Sequence, residues 1–95
     1  MTVKIFKTTN GEVIIGEVVA TNHDHYELKA PANIGLQQTD SGVQVGIAEY
    51  MPYAAGNVTL RFHAIASEGE PEQKLANEYN RLYGSGIVIA SQLPR

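Results

Sequence analysis

The sequence predicts a mainly β domain with one amphipathic helix near its C-terminus. Three observations carry this. Short apolar runs alternate with polar residues at a period of two. Turn signals separate the runs, Asn10-Gly11 and Asp40-Ser41-Gly42 being the clearest. After Pro71 the apolar period changes to about 3.6.

Taken in order, residues 3–7 read as a strand that ends at Thr9-Asn10-Gly11, where Asn-Gly tolerates the positive φ of a tight hairpin. Residues 12–20 form its partner. They carry Val13, Ile14, Ile15, Val18 and Val19 on both faces, as a strand buried between layers does. Gly16 sits in the middle of this strand, which implies sharp bending or close approach of another backbone. After the polar turn Thr21-Asn22-His23-Asp24, residues 26–30 alternate, with Tyr26 and Leu28 inward. Pro31 cannot donate to a ladder, so the strand bends there or lies at an edge. A fourth strand follows Gly42, with Val43, Val45 and Ile47 on its inner face. Pro52 and Ala54-Ala55-Gly56-Asn57 then interrupt the pattern. Val58, Leu60, Phe62 and Ala64 alternate with Thr59, Arg61 and His63 in a fifth strand.

The helix is expected over about 71–83. Leu75, Tyr79 and Leu82 or Tyr83 form its apolar stripe, Pro71 takes the first helical position, acids occupy the first turn, Arg81 lies in the last turn and Gly84 follows the C-cap. The apolar tail 86–91 is expected to be one more strand or a docked arm. No repeat or linker divides the 95 residues, so a single domain spanning 1–95 is expected, with its strands within 3–66.

Composition narrows the function. An apolar fraction of 43% with 18% charged residues suits one packed core. The absence of cysteine rules out disulfides and Cys-based zinc sites. With no apolar leader or membrane span, the reading is a reducing, cytoplasmic compartment. Seven Lys and Arg against ten Asp and Glu give a net charge of −3, whereas nucleic-acid binders usually present a basic stripe. The acids Glu68, Glu70 and Glu72 cluster in sequence, while Lys4, Lys7, Lys29 and Arg61 lie in predicted strands, which leaves room for a locally basic rim.

The strands and turns together resemble the Sm-like family. The features that carry the resemblance are Asn10-Gly11, Gly16, Val18 and the run from Asn22 through His23, Asp24, His25, Tyr26 and Glu27 to Leu28 for its first motif, and Gly56-Asn57-Val58 for its second. The resemblance spans about 3–66. It implies a small, strongly bent five-stranded barrel, barrels joined edge to edge in a homo-oligomeric ring of five to seven copies, and single-stranded RNA held near the pore. Position by position it places Asn22 on the family's loop aspartate, His25 on its stacking residue and Tyr26 on its base-reading asparagine, while Ala55 replaces the basic residue of the second motif. A helix after the strands, rather than before them, is similar to small Sm-like proteins of tailed phages. The RNA-binding residues implied are Asn22, His25, Tyr26 and Asn57, aromatic faces being able to stack on unpaired bases.

Other constellations carry less. His23 and His25 lie two apart and could share a metal with Asp24 or His63, but a hairpin tip with solvated histidines is the favoured reading, and no metal or cofactor is expected. Tyr50, Met51 and Tyr53 read as closing the barrel or a subunit seam. Glu12, Glu17 and Glu49 form no pair in sequence, and no nucleophile elbow, P-loop or dinucleotide fingerprint occurs, so an enzyme is not expected. The alternative to RNA binding is a non-catalytic structural or adaptor oligomer that has lost the nucleotide site.

Overall fold

A computed structural model describes residues 2–83. They form an antiparallel sheet of six strands, β1 (Thr2–Thr8), β2 (Val13–Thr21), β3 (His25–Thr39), β4 (Gly42–Glu49), β5 (Val58–Arg61) and β6 (Ile65–Gly69), followed by helix α1 (Gln73–Tyr83). The expected tail 86–91 and the residue after the helix, Gly84, lie outside the described residues.

The sheet runs β4-β3-β2-β1-β6, and β5 pairs with β3. The long β3 serves two neighbours on one edge. Its first half, His25 to Leu28, pairs with β5, and its second half, Ala32 to Thr39, pairs with β4. The path β5-β3-β2-β1-β6 curls until its ends meet at a 3-10 turn, Phe62–Ala64. The closed five-stranded barrel expected from sequence is therefore an open, curled sheet whose ends are joined through the chain and not by a ladder. The stretch read as one fifth strand is in fact β5, the 3-10 turn and the start of β6. Backbone bonds outside the ladders hold the turn: the Phe62 N–H donates to the Asp24 carbonyl at 3.0 Å, and the Thr9 N–H to the Ala64 carbonyl at 2.9 Å.

The curl has a local cause. Across the β2–β3 ladder, Ile15 lies opposite Ala32 and Glu17 opposite Lys29, so Gly16 alone faces both Ala30 and Pro31. This is a β-bulge, and bulges bend a strand and raise its twist. Ala30 adopts φ 51°, the left-handed conformation that costs a residue with a Cβ about 1–2 kcal/mol. Gly16 is buried there, and a Cβ on it would meet Leu28 Cδ1 at 3.4 Å and the Pro31 Cα at 3.5 Å, ordinary packing contacts. Pro31 thus bends β3 without ending it, and its carbonyl accepts from the Tyr50 N–H at 2.9 Å. Replacing Ala30 by glycine should relieve the left-handed cost and raise stability by up to about 1 kcal/mol, the flexibility of glycine in the unfolded chain offsetting part of the gain. Urea unfolding measures it, and an Ala30→Val variant should move the midpoint the other way.

Because β2 is buried on both faces, the sheet carries two cores. On the concave side Phe6, Leu28 and Leu60 pack with Val18, Tyr26, Ala64 and Ile65. On the other side Ile15 and Ala32 are covered by Tyr79 of α1, with Val3, Ile34, Ile47, Leu75 and Tyr83 around them. Ile14 and Ile15, adjacent in sequence, are both fully buried, one for each face. The helical stripe thus resolves to Leu75, Tyr79 and Tyr83, while Leu82 is exposed.

The helix begins at Gln73, two residues later than expected. The Glu72 carbonyl accepts the first bond, from Ala76, so Glu72 is the N-cap, Pro71 precedes it and the first turn holds no acid. Arg81 lies in the last turn as expected. One expectation for β4 fails. Only Ile47 reaches a core, whereas Val43 and Val45 are 61% and 57% exposed: α1 packs over Ile34 and Ile47, and only its flank borders Val45.

Candidate functional site

The turn between β2 and β3 and the 3-10 turn after β5 meet at one end of the curled sheet. His25 opens β3 directly opposite Arg61, the last residue of β5. Their side chains therefore share a face, and the Phe62-to-Asp24 backbone bond ties the two turns together. This corner gathers Asn22, His23, Asp24, His25 and Arg61, with His63 two residues on in the 3-10 turn.

His25 is the best-held member. Its Nδ1 lies 2.6 Å from Asp24 Oδ1, and its Nε2 lies 3.1 Å from the Asn22 side-chain nitrogen. A neutral ring with the proton on Nδ1 satisfies both contacts: Nδ1–H donates to Asp24, and Nε2 accepts from the Asn22 amide. The Asn22 N–H donates in turn to the His25 carbonyl at 2.9 Å. Asp24 also faces Arg61, with 3.6 Å between its Oδ2 and Nη1 of the guanidinium. The His25 hydrogen bond, with the Arg61 guanidinium nearby, holds the Asp24 carboxyl below the usual carboxylate range. His23, Arg61 and His63 remain exposed, and Phe62 presents an edge to solvent.

The structure separates the four residues implied for RNA. Asn22 and His25 come together. Tyr26, next along β3, points to the opposite face. Its ring packs on Phe6 at 5.4 Å and on Phe62 at 4.9 Å, and its hydroxyl donates to Glu68 at 2.8 Å. Lys4 lies over the same ring and pairs with Glu68 at 2.8 Å. Asn57 precedes β5, whose Val58 lies opposite Leu28 and whose Arg61 lies opposite His25. Asn57 is thus four positions along from Arg61, roughly 13 Å at the rise of a strand. Ala55, in the same loop, is exposed and away from the corner.

Sequence reasoning named Arg61 in a basic rim and His63 as a possible metal ligand, but it did not place Arg61, Phe62 and His63 in a turn beside His25. Their alternation fitted a continuing strand, and no turn signal such as Gly or Pro marked the 3-10 segment. The basic rim changes as well. Lys4 and Arg61 each have a carboxylate beside them, Glu68 and Asp24, so their fields are largely cancelled. Lys4 is held above its ordinary range by its hydrogen bond to Glu68, and Glu68 below its own by Lys4.

The remaining candidates are placed as follows. Among the described residues no group of three or more His, Asp or Glu side chains is close enough to hold a metal. Glu12 accepts a hydrogen bond from the Tyr50 hydroxyl at 3.3 Å. Tyr53 and Met51 stand out from the β4–β5 loop, Tyr53 with 99% of its surface exposed, so within one chain they close no core. Among the described residues no helix is long and apolar enough to cross a membrane.

No protein-family model matches the sequence, and no curated protein matches it.

Proposed function

We propose that the protein is a non-catalytic, self-associating Sm-like module that holds single-stranded RNA at the corner formed by Asn22, His25, Arg61 and His63. The observation that carries this reading is the tie between the β2–β3 turn and the 3-10 turn, which sets Arg61 opposite His25. The curled path β5-β3-β2-β1-β6 around Phe6, Leu28 and Leu60 resembles the five-stranded arrangement of the Sm-like family. In this reading the second motif moves from Gly56-Asn57 to Arg61-Phe62-His63. That segment opens on a basic residue and precedes a short strand, as the family's motif does.

The chemistry suits unpaired bases better than duplex. The guanidinium plane of Arg61 and the rings of His63 and His23 are exposed flat surfaces on which any base can stack. Asn22 offers an amide whose donor and acceptor can read a base edge once it turns from His25. With Asp24 offsetting Arg61, few phosphates are neutralised and the salt dependence should be shallow. Rings joined edge to edge would bring several corners around one opening and multiply a weak contact.

Fluorescence anisotropy with labelled U-rich and A-rich oligoribonucleotides at low salt tests the proposal. Wild type should bind, and the double variant His25→Ala, Arg61→Ala should bind at least about tenfold more weakly, since one stacked base contributes about 1–3 kcal/mol. No binding by wild type at low salt ends this reading. It would favour the second one, an adaptor oligomer without a nucleotide site, to which the net charge of −3 and the Asp24–Arg61 pairing point.

A further inference from the structure

The β3–β4 hairpin carries an apolar face that its own chain only half covers. Ile34 lies opposite Ile47, Leu36 opposite Val45 and Gln38 opposite Val43, and directly opposed residues in an antiparallel pair project to one face. Leu75 and Tyr79 of α1 pack against the cluster that includes Ile34 and Ile47. Beyond the helix Leu36 is 77% exposed, and Val45 and Val43 continue the strip. On the reverse face Gly35 lies opposite Gly46, so the apolar character is confined to one side.

The hairpin also lacks the usual protection of an edge strand. β4 is the end strand of the sheet and pairs with β3 over eight consecutive positions without a bulge. From 34 to 48 the sequence has no Pro and no Lys, and its single charge is Asp40 in the turn. Monomeric proteins place charges, prolines or bulges on such edges to prevent association.

The rim of the strip identifies the occupant. Where the strip meets α1 there is a groove of about 290 Å³ with an apolar floor of Val45, Ile47 and Leu75, edged by Glu72, Lys74 and Glu78. A rim bearing both signs suits a second copy of itself: about a two-fold axis Lys74 of one copy would face the acidic rim of the other, and the two apolar strips would cover each other. We propose that this strip is a self-association surface covered by the same strip of a second copy. A stable dimer buries roughly 800 Å² per partner, more than three side chains provide, so the contact extends from the strip onto the flank of α1 that bears these charges. The strip lies at the opposite end of β3 from the His25 corner, and face-to-face contact leaves the outer edge of β4 free. It is therefore compatible with the edge-to-edge association proposed above and does not depend on RNA binding.

Light scattering over a range of protein concentrations tests this on the full chain. The double variant Leu36→Glu, Val45→Glu should have half the molar mass of wild type, whatever assembly the wild type forms, with an unchanged circular dichroism spectrum. Equal masses for both proteins at every concentration overturn the proposal. A second readout stands if the double variant does not fold. The chain has no cysteine, so a Val43→Cys variant treated with a short bismaleimide should give a cross-linked dimer in high yield, and a Tyr53→Cys variant, more exposed but off the strip, should not. Equal yields from the two cysteines overturn the proposal. Loss of RNA binding in the anisotropy experiment would leave both readouts unmoved, so the two proposals fail separately.

Discussion

Tyr79→Ala should lower the stability of the protein by about 4 kcal/mol, a large share of the 5–15 kcal/mol typical of a domain. Tyr79 is the only α1 side chain that is almost wholly buried, and it sits on Ile15 and Ala32 at the middle of the sheet. Its hydroxyl is shared between the Lys29 carbonyl at 2.9 Å and the Ala30 carbonyl at 2.8 Å, so the helix holds the bulge that bends β3. Tyr79→Phe should separate packing from hydrogen bonding and cost only about 1–2 kcal/mol. Urea unfolding followed by circular dichroism distinguishes the two. A Tyr79→Phe loss as large as that of Tyr79→Ala would mean that the hydroxyl, and not the ring, anchors the helix.

The same hydroxyl should make the protein sensitive to alkali. Burial pushes it up to about 12 from an ordinary 10.0. Between these values the unfolded chain has released the phenolic proton and the folded chain still holds it, so the folded state binds more protons and stability falls as pH rises. The contribution is complete below pH 10 and is lost through pH 12, at about 1.4 kcal/mol per pH unit. Tyr26 and Tyr50 are shifted in the same direction, Tyr26 chiefly by its hydrogen bond to Glu68 and Tyr50 chiefly by burial. The part due to Tyr79 is therefore the difference between wild-type and Tyr79→Phe unfolding curves taken from pH 8 to 11.5. Parallel curves would remove Tyr79 from the alkaline transition.

The second large effect is expected at Leu28. Leu28→Ala should cost about 3 kcal/mol, whereas Leu36→Ala, the same change farther along the same strand, should stay within about 0.5 kcal/mol. Leu28 is 1% exposed and lies between Phe6 and Leu60 on the concave side. Its removal leaves a cavity beside Gly16, where the bulge prevents β2 and β3 from closing the space. Leu36 loses nothing within its own chain. If it is nevertheless costly in thermal unfolding, and more so at high protein concentration, the contact it serves lies between copies.

Much of this fold was legible residue by residue. Asn10-Gly11 placed the first hairpin, with Gly11 at φ 91°. Ile14 and Ile15 announced a strand buried on both sides, and Gly16 announced the bend that the bulge opposite Ala30 and Pro31 supplies. The period from Leu75 through Tyr79 identified the face of the helix that packs. The candidate site was legible only in part. Asn22 and His25 belong to one short turn, and local sequence was enough to bring them together. Arg61 was out of reach, because its place opposite His25 depends on the pairing of strands separated by a long hairpin and a loop.

What the sequence by itself determined, then, is what depends on neighbours in the chain: turn positions, faces of strands, the helical stripe and the burial of β2 from both sides. The tertiary structure alone decided whether the sheet closes, where the chain switches from β5 to β6, and which alternating residues remain outside. Val43 and Val45 have the pattern of core residues, and periodicity assigns them inward. They are exposed because the buried face of α1, Leu75, Tyr79 and Tyr83, packs over Ile34 and Ile47 and leaves them outside, a matter of helix docking that no local pattern encodes. Phe62 and Ala64 likewise alternate as a strand should. They leave the ladder because the curl of the sheet brings Asp24 and Thr9 close enough for the backbone of the turn to bond there instead.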